Sequence, residues 1–238
     1  MMDSRVGELL ASETVRQAFL SGLLMTLWIS ALSAVLALGI GLVMSFGRLS
    51  PNRWVRGAVS VYVEGFRNTP LLLQLYALYR GLPELGITLS PEMCGILGLG
   101  LYTGAYVTEI FRTGLVAIPP TQQESGLALG MSRFAVFWMI LLPQAIRLVL
   151  PPLTSQLISM VKNSSLLFYI TVEELFQVVY RGAVDQFQPL EYFIVGAVIY
   201  MALAWTLSLA MAGAERLYDR WLIRWFLPRR LRPAAGAS

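Results

Sequence analysis

The chain is 238 residues long, 56% hydrophobic and 13% charged, with a mean hydropathy of +0.64 and a formal net charge of +4. That balance excludes an ordinary soluble domain. A single cysteine, Cys94, and the lack of histidine exclude an internal disulfide and remove the commonest transition-metal ligand, so no metal site is expected; the uneven excess of positive charge reports orientation in a membrane protein, so no nucleic-acid partner is expected either.

Residues 1–16 carry acids beside arginines, with no small-residue cleavage site after the first apolar run, so they read as an external amino-terminal segment and not a removed signal peptide. Residues 17–47 contain no charge, and neither do residues 192–214. Each run is long enough for a hydrocarbon core of about 30 Å at about 1.5 Å per residue. Lipid leaves free backbone amides unsatisfied, so the spans must be helical, and five are expected: 17–46, 57–79, 93–113, 134–161 and 192–214. The second carries Glu64 and Arg67, and the fourth carries Arg147 with Pro143, Pro151 and Pro152. Those two are the weakest by hydropathy, which leaves a four-span count open.

Short cytoplasmic loops collect basic residues. Residues 48–56 hold three arginines and no acid, and the basic tail 215–238 holds six arginines against Glu215 and Asp219. The opposite connections are acidic, with Asp3, Glu8 and Glu13 before the first span and Glu173, Glu174, Asp185 and Glu191 before the last. The reading is an external amino terminus, a cytoplasmic carboxy terminus, and one membrane domain over 17–214 without internal duplication. Small residues recur every fourth position in the first span (Ser33, Ala37, Gly41, Ser45), the third (Gly100, Gly104, Thr108) and the fifth (Ala204, Ser208, Ala212), and such stripes let helices approach closely, chiefly inside one subunit. Met25, Met44 and the scattered tryptophans read as lipid-facing or interfacial. The tail after Pro228 reads as disordered and suited to anionic headgroups.

Between the third and fourth spans, at about 114–133, the chain turns polar. Pro119 and Pro120 favour the start of a new segment, residues 122–129 suit a short surface helix, Gly130 permits the turn that ends it, and Pro143 kinks or relieves the helix that follows. A loop of this kind gives another protein a handle on the membrane helices.

Glu124, Gly130, Ile140, Leu142 and Pro143 fall at the spacing of a glutamate-led small triplet, a glycine, an isoleucine and a leucine-proline pair, and this resembles the EAA loop of ABC-importer permeases. The triplet here is Glu124-Ser125-Gly126 where the family has two alanines, which keeps small residues but weakens the helix by roughly 1 kcal/mol at the glycine. The blocks FRNTPLLLQLY, AYVTEIFR, LPQAIRLVLPPL and VKNSSL resemble the polar-amino-acid uptake branch of that family, so the resemblance covers residues from about 15 to 215. It implies an all-α membrane protein of about five transmembrane helices with the type I ABC importer (MetI-like) fold, multi-pass in the bacterial cytoplasmic membrane. It further implies a second permease, identical or sister, a dimer of ATP-binding subunits docked on the loop, and an external substrate-binding protein. The only lysine, Lys162, is not preceded by a glycine-rich phosphate loop, so no cofactor is expected on this chain and ATP with its magnesium belongs to the partner.

Glu64 and Arg67 are three residues apart in the second span, as are Glu109 and Arg112 in the third, and that spacing puts each pair on one helix face. Ionisable groups cost roughly 2.5–3.5 kcal/mol for Asp, Lys or Arg at a bilayer centre, so they normally face a cavity or a partner. Two readings stand: the groups line the passage and meet the ammonium and carboxylate of an amino acid, or each pair neutralises itself near a helix end. Asn68, Thr69 and Gln74 beside Pro70 add hydrogen-bonding groups where proline distorts the helix, and complete a candidate substrate path with Glu64, Arg67 and Glu109. Lys162, Asn163 and Ser164 end the fourth span and form a candidate external gate, or simply a water-facing helix end.

The expected activity is inward movement of a polar amino acid, or a derivative such as an opine, by alternating access with the loop as mechanical input. An ion-gradient-driven secondary carrier is the alternative, although such carriers often show inverted repeats. An intramembrane enzyme lacks any nucleophile-base set.

Overall fold

The computed structural model describes residues 7, 9 and 11–226, with side chains to residue 221. Among the described residues all regular structure is helical. α1 (Glu13–Arg48) places an acid in its first turn and a base in its last, matching the helix dipole at both ends. α2 (Arg53–Arg67) is capped by Asn52, whose side chain accepts from the Trp54 amide at 2.9 Å. Pro70 has no amide hydrogen and pushes Thr69 out of helical geometry, so the chain breaks at 68–70. It resumes as α3 (Leu71–Tyr76), extended by a π-helical turn (Ala77–Gly81) and a last turn (Leu82–Glu84).

α4 (Pro91–Val116) starts with Pro91 behind the cap Ser90, whose hydroxyl accepts from the Met93 amide at 3.2 Å. α5 (Pro120–Ala128) lies between α4 and a long rod, Arg133–Ile170. The rod consists of α6 (Arg133–Val136), a π-turn (Phe137–Leu141), α7 (Leu142–Asn163) and a 3₁₀ segment (Ser164–Ile170). α8 (Leu175–Asp185) and α9 (Pro189–Phe226) complete the bundle.

Among the described residues four helices are long and apolar enough to cross a membrane: Glu13–Arg48, Pro91–Val116, Arg133–Ile170 and Pro189–Trp221. The second expected span, 57–79, is helical but split at 68–70. The 15 residues of α2 reach only about 22 Å at about 1.5 Å per residue, so α2 and α3 are needed together to cover a hydrocarbon core. The fourth span continues past 161 to Ile170, and the last continues past 214 to Phe226, because nothing in either sequence breaks the helix there. The tail beyond residue 226, and Asp3, Arg5 and Glu8 at the other end, lie outside the described residues.

α4 sits at the centre, packed on α1, α2, α3 and α7. The small-residue stripes of the first and third spans form the α1–α4 seam. A methyl group on Gly41 would lie 2.3 Å from Val107 Cγ1, one on Gly100 would lie 2.5 Å from Leu36, and Ser33, Ala37, Ser45 and Thr108 are buried. The stripe on α9 (Ala204, Ser208, Ala212) is only half covered by this chain. Met25, expected towards lipid, instead packs against a core of Ile29, Leu75, Cys94, Leu99 and Leu167.

Candidate functional site

The polar loop folds as a compact unit. Gly130 adopts φ +78°, and its amide donates to Leu127 O at 3.0 Å while the Met131 amide donates to Gly126 O at 3.1 Å. This paired closure is the Schellman ending of α5, and it requires the left-handed conformation that glycine takes without a Cβ penalty. Ser132 then caps α6 by accepting from the Ala135 amide at 3.1 Å.

α5 is held down at Gly126, where an added methyl group would meet Val136 Cγ2 at 2.8 Å and Ile140 Cδ1 at 3.0 Å. The glycine that weakens α5 as a helix is thus what lets it lie against the rod. Pro143, without an amide hydrogen, follows directly on the π-turn, and its carbonyl accepts from the Tyr218 hydroxyl at 3.0 Å. Of the predicted loop residues, Gly126 and Pro143 are buried, Ile140 and Leu142 are half-buried, and Glu124, Ser125 and Gly130 are exposed. Leu129 (82% exposed) and Phe134 (73%, its ring against Trp138) leave apolar side chains open on either side of the Gly130 turn, the kind of surface a protein partner covers.

The predicted passage residues gather near the carboxy-terminal end of α1, around a residue that the sequence reading had placed in a loop. Arg48 Nε donates to Glu109 Oε1 at 2.8 Å, and its guanidinium also meets the Ser60 hydroxyl and lies 3.7 Å from Glu64 Oε1. Arg112 Nε donates to the other oxygen of Glu109 at 2.8 Å, so the expected Glu109–Arg112 pair forms. The expected Glu64–Arg67 pair does not. Arg67 sits over the ring of Tyr106, 5.1 Å from its centroid, while Glu64 turns to Arg48 and accepts from Asn68 Nδ2 at 3.1 Å. Spacing permits two side chains to meet but does not choose between a local partner and one supplied by another helix.

Thr69 and Gln74 brace the helix break. The Gln74 amide donates to Phe66 O at 2.9 Å and to Thr69 Oγ1 at 2.7 Å, and the Thr69 hydroxyl donates to Gly65 O at 2.8 Å. Next to the break, between α2, α4 and α7, lies a cleft of about 370 Å³ lined by Arg67, Tyr106, Glu109, Thr113, Leu148 and Pro152. It shares Ala117 and Leu148 with a second cleft that runs along α7 to Gln122 on α5, so the loop and this cleft adjoin.

The three gate candidates stand where α7 tightens into the 3₁₀ segment. Lys162 is exposed and makes no ion pair among the described residues, Asn163 is half-buried, and Ser164 is buried with its hydroxyl donated to Val161 O at 2.7 Å. The neighbouring anchor is a residue that sequence reasoning counted only as loop charge. Glu174 is fully buried, caps α8 by accepting from the Gln177 amide at 2.9 Å, and accepts from Tyr200 at 2.8 Å and Thr26 at 3.3 Å. One carboxylate therefore ties α1, α8 and α9 together. Its only sequence signal was the cap position, an acid just before an apolar helix.

Burial pushes the Glu174 carboxyl above its ordinary range, against the opposing pull of its hydrogen bonds. An acid whose folded pKa is raised contributes stability at low pH that is lost as pH rises through the folded value. Glu174→Gln is therefore expected to gain thermal midpoint relative to wild type as pH rises from about 4, where an unperturbed glutamate titrates. Parallel melting curves across pH, with a constant difference between the two proteins, would contradict this.

Residues 37–224 match the family described as binding-protein-dependent transport system inner membrane component. The chain is 33% identical over 224 residues to the L-cystine transport system permease protein TcyB of Bacillus subtilis, covering 92% of this chain and 96% of that one. It is 32% identical over 212 residues to the histidine/lysine/arginine/ornithine transport system permease protein HisM of Escherichia coli, covering 85% and 88%. Among solved structures, an amino acid ABC transporter crystallised with histidines superposes with a TM-score of 0.81 at 31% identity, covering 87% of this chain and 97% of that one. The inward-facing MetNI methionine transporter superposes at 0.73 with 20% identity, covering 87% and 99%, a likeness of fold.

Proposed function

This chain belongs to the family of binding-protein-dependent transport system inner membrane components, and from that premise we propose that it carries an amino acid, or a derivative such as an opine, inward across the cytoplasmic membrane. It is a transporter subunit and not an enzyme. The relatives that support the amino-acid reading are named for cystine and for basic amino acids.

In this proposal α5 faces the cytoplasm and docks in a dimer of ATP-binding subunits, which hold the ATP and magnesium. A second permease, identical or sister, completes the passage, and an external binding protein delivers the substrate on the side of Lys162 and Glu174. The amino terminus lies outside and the basic tail inside, against anionic lipid. Closure of the ATPases pulls on α5, and the rod that begins at Arg133 moves with it, because Gly126 is packed against Val136 and Ile140. That contact is the observation that carries the proposal. It makes the loop a stiff lever where a loose tether would transmit little. Reversing a two-state bundle from 1:99 to 99:1 takes only about 5.5 kcal/mol.

Purification of the tagged protein from its native membrane in mild detergent is expected to bring down a P-loop ATPase, and amino-acid uptake should stop when that ATPase is inactivated. Uptake that persists without the ATPase, driven by an ion gradient, would establish the secondary-carrier alternative instead.

A further inference from the structure

We propose that Arg67 is the carboxylate anchor of the passage and that the cleft selects by charge, taking zwitterionic and acidic amino acids in preference to dibasic ones. This rests on the importer reading above and specifies its substrate class.

The argument is a local charge balance. The cleft is lined by one arginine, Arg67, and one glutamate, Glu109. Glu109 is held by Arg48 and Arg112, each at 2.8 Å, and is only 14% exposed, so it has little capacity left for a ligand cation. Glu64 does not line the cleft; it is 58% exposed, lies 3.7 Å from Arg48 and accepts from Asn68. Arg67 makes no ion pair among the described residues. It is exposed at the cleft, over the Tyr106 ring. One positive charge is therefore left over, and it is the charge a ligand meets.

A guanidinium offers a fixed fork of donors that suits a carboxylate. The cleft volume of about 370 Å³ falls in the range of small-molecule sites, about 300–1,000 Å³. Leu148 and Pro152 line it with apolar surface, which lowers the local dielectric and strengthens any charge interaction at Arg67. An α-carboxylate is stabilised there, and a second carboxylate is tolerated because the site is otherwise short of negative charge. A second cation on the ligand side chain meets Glu109, already held by two arginines, and the unpaired Arg67.

The test is direct binding to the purified permease–ATPase complex without the external binding protein, which would otherwise impose its own selection. Radiolabelled glutamine, glutamate and arginine are the probes, against wild type, Arg67→Gln and Arg67→Lys. Wild type is expected to bind glutamine and glutamate at least about tenfold more tightly than arginine, the scale of one screened charge interaction. Arg67→Gln should lose most affinity for glutamine and glutamate and erase the preference, while Arg67→Lys, which keeps the charge, should restore part of it. Arginine binding to wild type as tightly as glutamine, or unchanged binding in Arg67→Gln, overturns the inference and leaves the importer reading intact. A complex that imports while binding none of the three probes overturns it equally. Absence of both ATPase and import would instead remove the function on which it rests.

Discussion

Gly126→Leu is expected to leave the membrane bundle assembled while reducing ATP-dependent import at least about tenfold, because the added side chain occupies the space through which α5 rests on the rod. A methyl group alone would already sit 2.8 Å from Val136 Cγ2, and Val136 is buried and β-branched, so it has little room to rotate away. Overpacking of this kind costs about 1–3 kcal/mol. α5 packs mainly on α6 and the adjoining π-turn, so lifting it off is the cheapest relief, cheaper than disturbing the spans. The lever then becomes a tether.

Gly130 provides the internal control. A Cβ there meets nothing within 4 Å, and the difficulty is the backbone, at φ +78°. Gly130→Asn, which tolerates the left-handed conformation, is expected to transport nearly as wild type, while Gly130→Ala gives up roughly 1–2 kcal/mol of α5 closure. Import and ATPase co-purification measured together in the four proteins separate the cases. Wild-type import by Gly126→Leu would dispose of the lever.

Arg48→Gln is expected to have the second largest effect, lowering the thermal midpoint of the purified protein and reducing import. Its side chain is 18% exposed and that of Glu109 14%, so removal leaves a largely buried carboxylate with Arg112 alone, while Ser60 keeps its bond to the Arg56 carbonyl. Breaking a buried pair from one side costs about 3–5 kcal/mol. The remaining Arg112 contact at 2.8 Å and the partial exposure bring the expected loss down to about 2 kcal/mol. The double variant Arg48→Gln/Glu109→Gln should recover part of that loss, since the unpaired charge is gone. A coupling of about 0.5–3 kcal/mol is the normal range for residues in one network. Strictly additive costs would show that the α1–α4 ion pair carries no energy of its own.

Much of the architecture was legible before any coordinates. The uncharged runs at 17–47 and 192–214 could only be membrane helices, because hydrocarbon offers the backbone no other partner. The small-residue stripes on the first and third spans announced a tight seam, and it is the α1–α4 seam. Pro119, Pro120 and Gly130 bracketed α5 to within two residues, since proline and glycine act through local backbone geometry, which a sequence reports directly.

The partners of the charged groups were not legible. Glu64 and Arg67 had the right spacing to pair and did not, because docking α1 on α4 brings Arg48 within reach of both Glu64 and Glu109, while Tyr106 offers Arg67 its ring. The second span read as one helix, and whether 68–70 would bend or break it depended on Gln74 reaching back to Thr69 and Phe66. Glu174 looked like one acid among four in an outer connection, and only the meeting of α1, α8 and α9 turned it into a buried anchor. The sequence by itself determined the long apolar helices and where the loop helix α5 begins and ends, because those depend on hydrophobic length and local backbone freedom. The tertiary structure alone decided which charge is left unpaired, because that depends on which helices meet, and the free energy of an ion pair depends on distance and burial between residues far apart in the chain.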